Sequence, residues 1–190
     1  MKTKQNIIVQ FLLSIVVLIS ASSLLSAQGK YIDKKGEIVF EASEALFEPV
    51  KATNESVTVI LNTETSEIAS LALMKGFRFK NSLMEEHFNE NYIESETYPK
   101  ATFKGKLLDF NFSEITENNT EVTVDGKIEL RGKEKEIRTT LNIKKSGDLI
   151  IIQGSFKVTP ADFDIEIPSI VKNKIAKEIM VLLDFKLNKK

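Results

Sequence analysis

The sequence predicts an all-β domain: about eight antiparallel strands with one or two short helices, closed into a barrel or stacked as a sandwich. Three observations carry this reading. Apolar and polar residues alternate through most of the chain beyond residue 30, the period-two pattern of strands with one dry and one wet face. Turn-forming residues interrupt the alternation at short intervals, as in Lys145-Ser146-Gly147-Asp148. Helical spacing of apolar residues is confined to two brief stretches.

Taken in order, Glu37–Ala42 and Ser56–Asn62 read as short strands, with Glu48-Pro49-Val50-Lys51 as the interruption between them. Over 68–79, Leu71, Leu73, Phe77 and Phe79 share one parity, with Lys75 as the exception, and predict a strand with an apolar face. From Ala101 to Phe112 the apolar phase changes: Phe103 and Leu107 share one parity, Leu108, Phe110 and Phe112 the other. Such a change predicts a β-bulge, which helps a sheet to curl. Glu121–Arg131 alternates most cleanly, with Val122, Val124, Ile128 and Leu130 on the dry side. Lys133-Glu134-Lys135-Glu136 is mixed in sign and reads as a hairpin turn. Strands follow at 136–144, with Ile137, Leu141 and Ile143 in phase, and at 148–159, with Ile150, Ile152, Phe156 and Val158 in phase. Thr159-Pro160-Ala161-Asp162 has the form of a capped helical turn with proline just inside it. Pro168–Ala176 reads as a second short helix, and 178–187 as the last strand.

The stretch Gly76–Gly105, GFRFKNSLMEEHFNENYIESETYPKATFKG, holds the most information. Phe77 and Phe79 alternate with Arg78 and Lys80 as in a strand; Leu83, Met84, Phe88 and Tyr92 then fit one face of a helix of about three turns. Tyr98-Pro99-Lys100 ends that run, because proline disfavours helical geometry in the residue before it. An apolar-faced helix between two strands is suited to cover the interior of a sheet or barrel. In Phe77, Phe79, Met84, His87-Phe88-Asn89-Glu90, Tyr92, Glu94-Ser95, Tyr98-Pro99 and Ala101-Thr102-Phe103-x-Gly105, the segment resembles the YceI-like family of small secreted proteins. The likeness extends over roughly Tyr31–Leu187 and includes Gly126-Lys127-Ile128-Glu129-Leu130-Arg131-Gly132. It implies a closed, lipocalin-like antiparallel β-barrel whose relatives hold a polyisoprenoid or similar long amphiphile.

Residues 1–27 carry Lys2 and Lys4, a dense apolar run from Ile7 to Ile19 and a small-residue exit ending at Ala27. Basic end, short apolar core and small-residue exit together predict a secretory signal peptide cleaved after Ala27, with the barrel domain occupying 28–190. The 13-residue apolar core is short of the ~20 residues that a membrane-crossing helix needs. No cysteine follows it to carry a lipid, so the expected location is periplasmic or secreted, without stable membrane insertion. Cleavage removes two lysines and no acid, leaving 24 basic against 27 acidic residues, a net charge of −3 that offers nothing to attract nucleic acid. With no cysteine at all, the exported domain rests on buried apolar surface alone.

Candidates for catalysis are few. There is no cysteine nucleophile, no glycine-rich phosphate loop, and a single histidine unaccompanied by a Gly-x-Ser-x-Gly elbow, so no enzyme and no cofactor is expected. His87, Glu90 and Glu94 have spacings that could project three ligands from one helix side, but glutamates so spaced are routine on a solvated face and no metal site is assigned. What the chain has in quantity is aromatic apolar surface. The expected ligand-contacting set is Phe77, Phe79, Leu83, Met84, Phe88, Tyr92, Phe103, Phe110, Phe112, Phe156 and Phe163, with Arg78, Lys80, His87 and Asn89 as polar residues able to orient a head group. The expected ligand is a polyisoprenoid, a quinone or another long-chain amphiphile; a homodimer is compatible with this reading. A barrel filled by its own side chains and acting through its exterior is the alternative, because inward-facing residues are apolar in both cases.

Overall fold

The computed structural model describes residues 29–44 and 46–190; the signal peptide expected over 1–27 lies outside them. Nine strands form one antiparallel sheet among the described residues: β1 (Lys30–Ser43), β2 (Lys51–Asn62), β3 (Glu67–Leu73), β4 (Arg78–Phe79), β5 (Lys100–Leu107), β6 (Thr120–Leu130), β7 (Lys133–Ser146), β8 (Leu149–Val158) and β9 (Ile175–Lys189). β1 pairs with β9 along one edge and with β2 along the other, so the sheet has no free edge and closes into an eight-stranded barrel. This excludes the sandwich. The two-residue β4 adds only to the start of β2, through Ala52↔Phe79 and Thr53↔Arg78.

Closure requires β1 to bend. Its register slips against β2 on both sides of Gly36, and against β9 between Ile32 and Glu37. Asp33 holds the irregularity: its buried carboxylate accepts the Lys35 amide at 2.8 Å and the Lys186 amide of β9 at 2.7 Å. Gly36 lies so close to the Phe185 ring that a Cβ would sit 2.8 Å from it. The bulge expected in 101–112 is therefore in β1 instead. In the later segment the phase change marks the end of β5: Asp109 adopts φ 51°, and a 3₁₀ turn at Phe112–Glu114 carries the chain to β6.

Three other expectations are corrected. Leu71 and Leu73 face outward, while Ile68, Ala72 and Met74 are buried, because a 3₁₀ turn at Met74–Gly76 shifts the phase before Phe77. Residues 133–136 belong to β7; the turn is Arg131-Gly132, whose consecutive positive φ values of 50° and 71° are those of a tight hairpin. The helix expected at 168–176 is a series of turns, closed by Val171 N–H to Pro168 C=O at 3.0 Å and Lys174 N–H to Val171 C=O at 2.8 Å, with β9 beginning at Ile175. The capped turn after β8 is present, a 3₁₀ helix at Pro160–Phe163 with a Thr159–Asp162 capping box.

The barrel has two unlike ends. At one, the β2–β3, β5–β6 and β7–β8 connections sit over a packed interior in which Val57, Val59, Leu61, Ile143, Ile152 and Leu187 are completely buried. Each contributes roughly 1.5–3 kcal/mol by leaving water. At the other end, four connections surround an opening: 44–50, 74–99, 131–132 and 159–174. Between the two levels, Gly105 and Gly126 face one another across β5 and β6, and the Phe103 ring lies over both. A Cβ at Gly126 would come 2.5 Å from the Gly105 Cα and from the Lys104 carbonyl oxygen, both backbone atoms that cannot step aside.

Gly126→Ala is accordingly expected to cost about 1–3 kcal/mol in urea unfolding. Gly147→Ala, in a turn at φ 58° where a Cβ meets nothing within 4 Å, should cost only the left-handed backbone penalty of about 1 kcal/mol. A loss at Gly126→Ala smaller than that at Gly147→Ala would contradict the steric reading of the Gly105–Gly126 contact.

Candidate functional site

Above the Phe103 level the barrel encloses a cavity of about 500 Å³, within the ~300–1,000 Å³ range of pockets that bury a small molecule. Its walls are the inward residues of the strands: Ile38 and Phe40 of β1, Ala72 of β3, Ile128 and Leu130 of β6, Phe156 and Val158 of β8, Ile179 and Val181 of β9. The insertion between β3 and β5 supplies Phe77, Phe79, Met84, Phe88, Tyr92 and Ile93; the β8–β9 crossing supplies Phe163, Ile165, Ile167 and Val171. A second void of about 70 Å³ beside Phe103 shares Ile38, Ala72, Ala101, Ile128 and Phe156 with the first, so the space narrows downward and stops at the packed half. Two of the residues shared by both voids, Ala72 and Ala101, are small and take little of this space.

The lid is the 74–99 insertion. Asn81 caps helix α1 (Ser82–His87) by accepting the Leu83 amide at 3.0 Å and the Met84 amide at 3.4 Å, and a π-helical turn at Phe88–Tyr92 continues it. Glu85 ties helix to sheet, accepting the Arg78 guanidinium at 2.6 Å and the Phe79 amide at 3.1 Å. Phe88 stacks on Phe40 with ring centres 5.2 Å apart and meets Phe79 at 5.1 Å and Phe77 at 6.0 Å. This cluster of four rings holds the lid on β1 through apolar contact.

A second tie is polar. Arg131, in the β6–β7 turn, is ion-paired with Glu94 of the insertion, donates to the Asp164 carbonyl of the β8–β9 crossing, and lies 5.9 Å over the Tyr98 ring. Glu94, Arg131 and Asp164 all hold positive φ, at 55°, 50° and 54°, a backbone arrangement that persists only where surrounding contacts impose it. Nearby, the Lys135 ammonium hydrogen-bonds the Asp162 carboxylate, and with the Thr159 amide at 2.8 Å it holds the Asp162 carboxyl below the usual carboxylate range. The hydrogen bond and charge of Lys133 lower Asp164 in the same direction, and Asp164 raises Lys133.

Chain comparison places this geometry. The sequence matches the YceI-like domain over residues 30–187, almost the whole barrel. The chain belongs to the YceI-like family. Among solved structures, it is similar to a polyisoprenoid binding domain from Saccharophagus degradans, with a TM-score of 0.73 and 16% identity over 86% of this chain and 99% of that one. It is also similar to BcnA of Burkholderia cenocepacia (TM-score 0.64, 14% identity, 79% and 95% covered) and to the YCEI protein of Campylobacter jejuni (0.62, 14%, 77% and 89%). At these identities the likeness is one of fold. No curated protein matches the sequence.

Within this YceI-like barrel, Phe77, Phe79, Met84, Phe88, Tyr92, Phe156 and Phe163 all line the large cavity, although they come from three separate parts of the chain. Phe103 lines the lower void. Leu83 points away from both and is 55% exposed, since the helix turns Met84 inward and Leu83 outward. Phe110 and Phe112 lie at the opposite, packed end, edge to face at 4.7 Å, because the chain leaves β5 before reaching them. Of the polar set, His87 lines the cavity, whereas Arg78 is exposed and engaged by Glu85. His87, Glu90 and Glu94 do not converge, as Glu94 lies past the helix and is held by Arg131; no three-ligand metal cluster occurs among the described residues. Sequence reasoning missed Phe40, Glu48, Thr159 and Lys174 as lining residues. Phe40 was legible as the middle of the alternating Ile38, Phe40, Ala42 run; the loop residues had no comparable signal.

Arg131→Met should release both flaps, raising hydrogen exchange at the Ile93, Ser95 and Tyr98 amides by about tenfold while β7 and β8 stay protected. Unchanged exchange there would show that the aromatic cluster suffices. The pH sign follows from Asp162: a carboxyl whose folded value is depressed gives stability that is present above its unfolded value and lost as pH falls through the folded one. Between about pH 5 and pH 2 the native protein is therefore expected to lose more thermal stability than Lys135→Met, measured by melting scans.

Proposed function

We propose that this protein is a non-enzymatic carrier that holds one long hydrophobic or amphiphilic molecule, a polyisoprenoid, a quinone or a similar lipid, in the barrel without altering it. The observation that carries the proposal is the apolar cavity of about 500 Å³ resting on a packed floor and opening at one end only. Each methylene transferred into such a space contributes about 0.8 kcal/mol, so chain length translates directly into affinity. The few polar residues of the lining, Glu48, His87, Tyr92, Thr159 and Lys174, lie on the lid and the rim connections, where they suit a head group left at the mouth with the tail below. The name of the Saccharophagus degradans domain, polyisoprenoid binding, is consistent with this choice of ligand class. The filled-barrel alternative is disfavoured, because only the lower half of the interior is packed.

Export completes the reading. The signal-like pattern of residues 1–27 supports a periplasmic or secreted carrier, working in a compartment where water dissolves no free polyprenol. The mature protein is expected to begin at Gln28, which N-terminal sequencing of material from the exporting cell checks.

Native mass spectrometry after mild purification, followed by titration with polyprenols and quinones of graded chain length, tests the carrier function. One ligand per protein is expected, with affinity rising with tail length until the cavity is filled. Ala72→Phe, which places a ring where the two voids share a wall, should weaken uptake at least about tenfold, with melting scans confirming that the variant folds. Uptake that is absent in the native protein, or unaltered by Ala72→Phe, would overturn the proposal.

A further inference from the structure

The large hydrophobic side chains that remain exposed are unevenly placed. Leu46 is 93% exposed and Phe47 39% on the β1–β2 connection, Ile170 is 82% exposed on the β8–β9 crossing, and Leu83 is 55% exposed on the lid helix. All four ring the cavity mouth. Among the described residues, no connection at the packed end carries such a side chain; the remaining ones lie on the outer wall of the strands or, for Leu73, at the mouth end of β3. Apolar groups on a rim cost solubility and add nothing to the core, so their grouping here calls for a surface that covers them.

Charge says which surface. From Pro168 to Lys177, the end of the crossing and the start of β9, the chain contains Lys172, Lys174 and Lys177 and no acid, with Glu166 before this stretch and Glu178 after it; all three lysines are exposed, and none has an ion-pair partner among the described residues. The ammonium of Lys174 lies 6.0 Å from the centre of the Phe47 ring, so the two rim connections adjoin and present apolar tips and cations together. Apolar side chains beside unpaired lysines match a bilayer interface, where the former enter the acyl boundary and the latter meet lipid phosphates. We propose that the open end of the barrel is a docking face for an anionic lipid bilayer. This deepens the carrier reading and rests on it: a rim seated in the bilayer lets an insoluble tail pass between membrane and cavity without crossing water. Glu44 and Glu48, on the adjoining β1–β2 connection, leave the cationic contact to the 168–177 stretch.

Co-sedimentation of the protein with phosphatidylcholine vesicles, with and without phosphatidylglycerol, tests this. Binding to the phosphatidylglycerol vesicles is expected to be at least about tenfold tighter and to weaken as salt is raised. The paired change Leu46→Glu with Ile170→Glu should abolish it, and Lys172→Gln, Lys174→Gln and Lys177→Gln together should remove its salt dependence, with melting scans confirming that each variant folds. A native protein left in the supernatant, or variants that bind as the native protein does, would overturn the docking face. So would a dimer in vesicle-free solution that Ile170→Glu splits, which assigns the rim to a second copy of the chain. The two proposals fail separately: a protein that loads polyprenol from detergent yet ignores vesicles loses only the docking face, and one that binds vesicles yet takes up no polyprenol loses only the carrier function.

Discussion

An eight-stranded barrel is barely wider inside than the side chains it must accommodate, so the size of the inward residues at each level decides whether that level is solid or hollow. In this protein the lower levels are occupied by Val57, Val59, Leu61, Ile143, Ile152 and Leu187, and close completely. The upper levels combine Ala72 and Ala101 with aromatics that lean on the lid, and leave a cavity. The boundary is set by Phe103, which lies flat because Gly105 and Gly126 give its ring somewhere to lie. One chain thereby contains both states that such a barrel can adopt, stacked along its axis.

That division separates the half that stabilises the domain from the half that holds the cavity. The packed half supplies the apolar burial on which a domain without disulfides depends, and its strands close the sheet through the bent β1 with Asp33 satisfying the amides at the bend. The open half is held by fewer and more local contacts. Four phenylalanine rings fasten the lid to β1, and Arg131 fastens it to the β8–β9 crossing through Glu94 and the Asp164 carbonyl. The lid is thus tied at two points, one apolar and one ionic. The left-handed backbone at Glu94, Arg131 and Asp164 places the strain of the upper half at these ties.

The same asymmetry extends to the surface. Among the described residues, the connections of the sealed end carry no exposed large hydrophobic side chain, whereas the open end presents Leu46, Phe47 and Ile170 alongside lysines. In the proposed reading, the apolar cavity and the amphipathic rim at its mouth are two parts of one physical problem, since a water-insoluble ligand partitions into a bilayer. Family membership, read from the match over 30–187, agrees with the barrel geometry.

Alternation along the chain determined a great deal unaided: the all-β class, the inward faces of β6 to β9, the hairpin at Gly147, the capped turn at Thr159 and a lid helix between two strands. Period two is a local property, so it is legible wherever a strand runs undisturbed. It misled where the backbone changes phase without changing composition, at the Met74–Gly76 turn, which reverses Leu71 and Leu73, and at Asp109, which ends β5 before Phe110 and Phe112. Closure, the bend in β1 and the boundary between filled and hollow levels were decided only in three dimensions. Each depends on residues distant in the chain, such as Asp33 with Lys186 or Gly105 with Gly126, meeting across a strand pair, and no local pattern encodes how much space is left when they do.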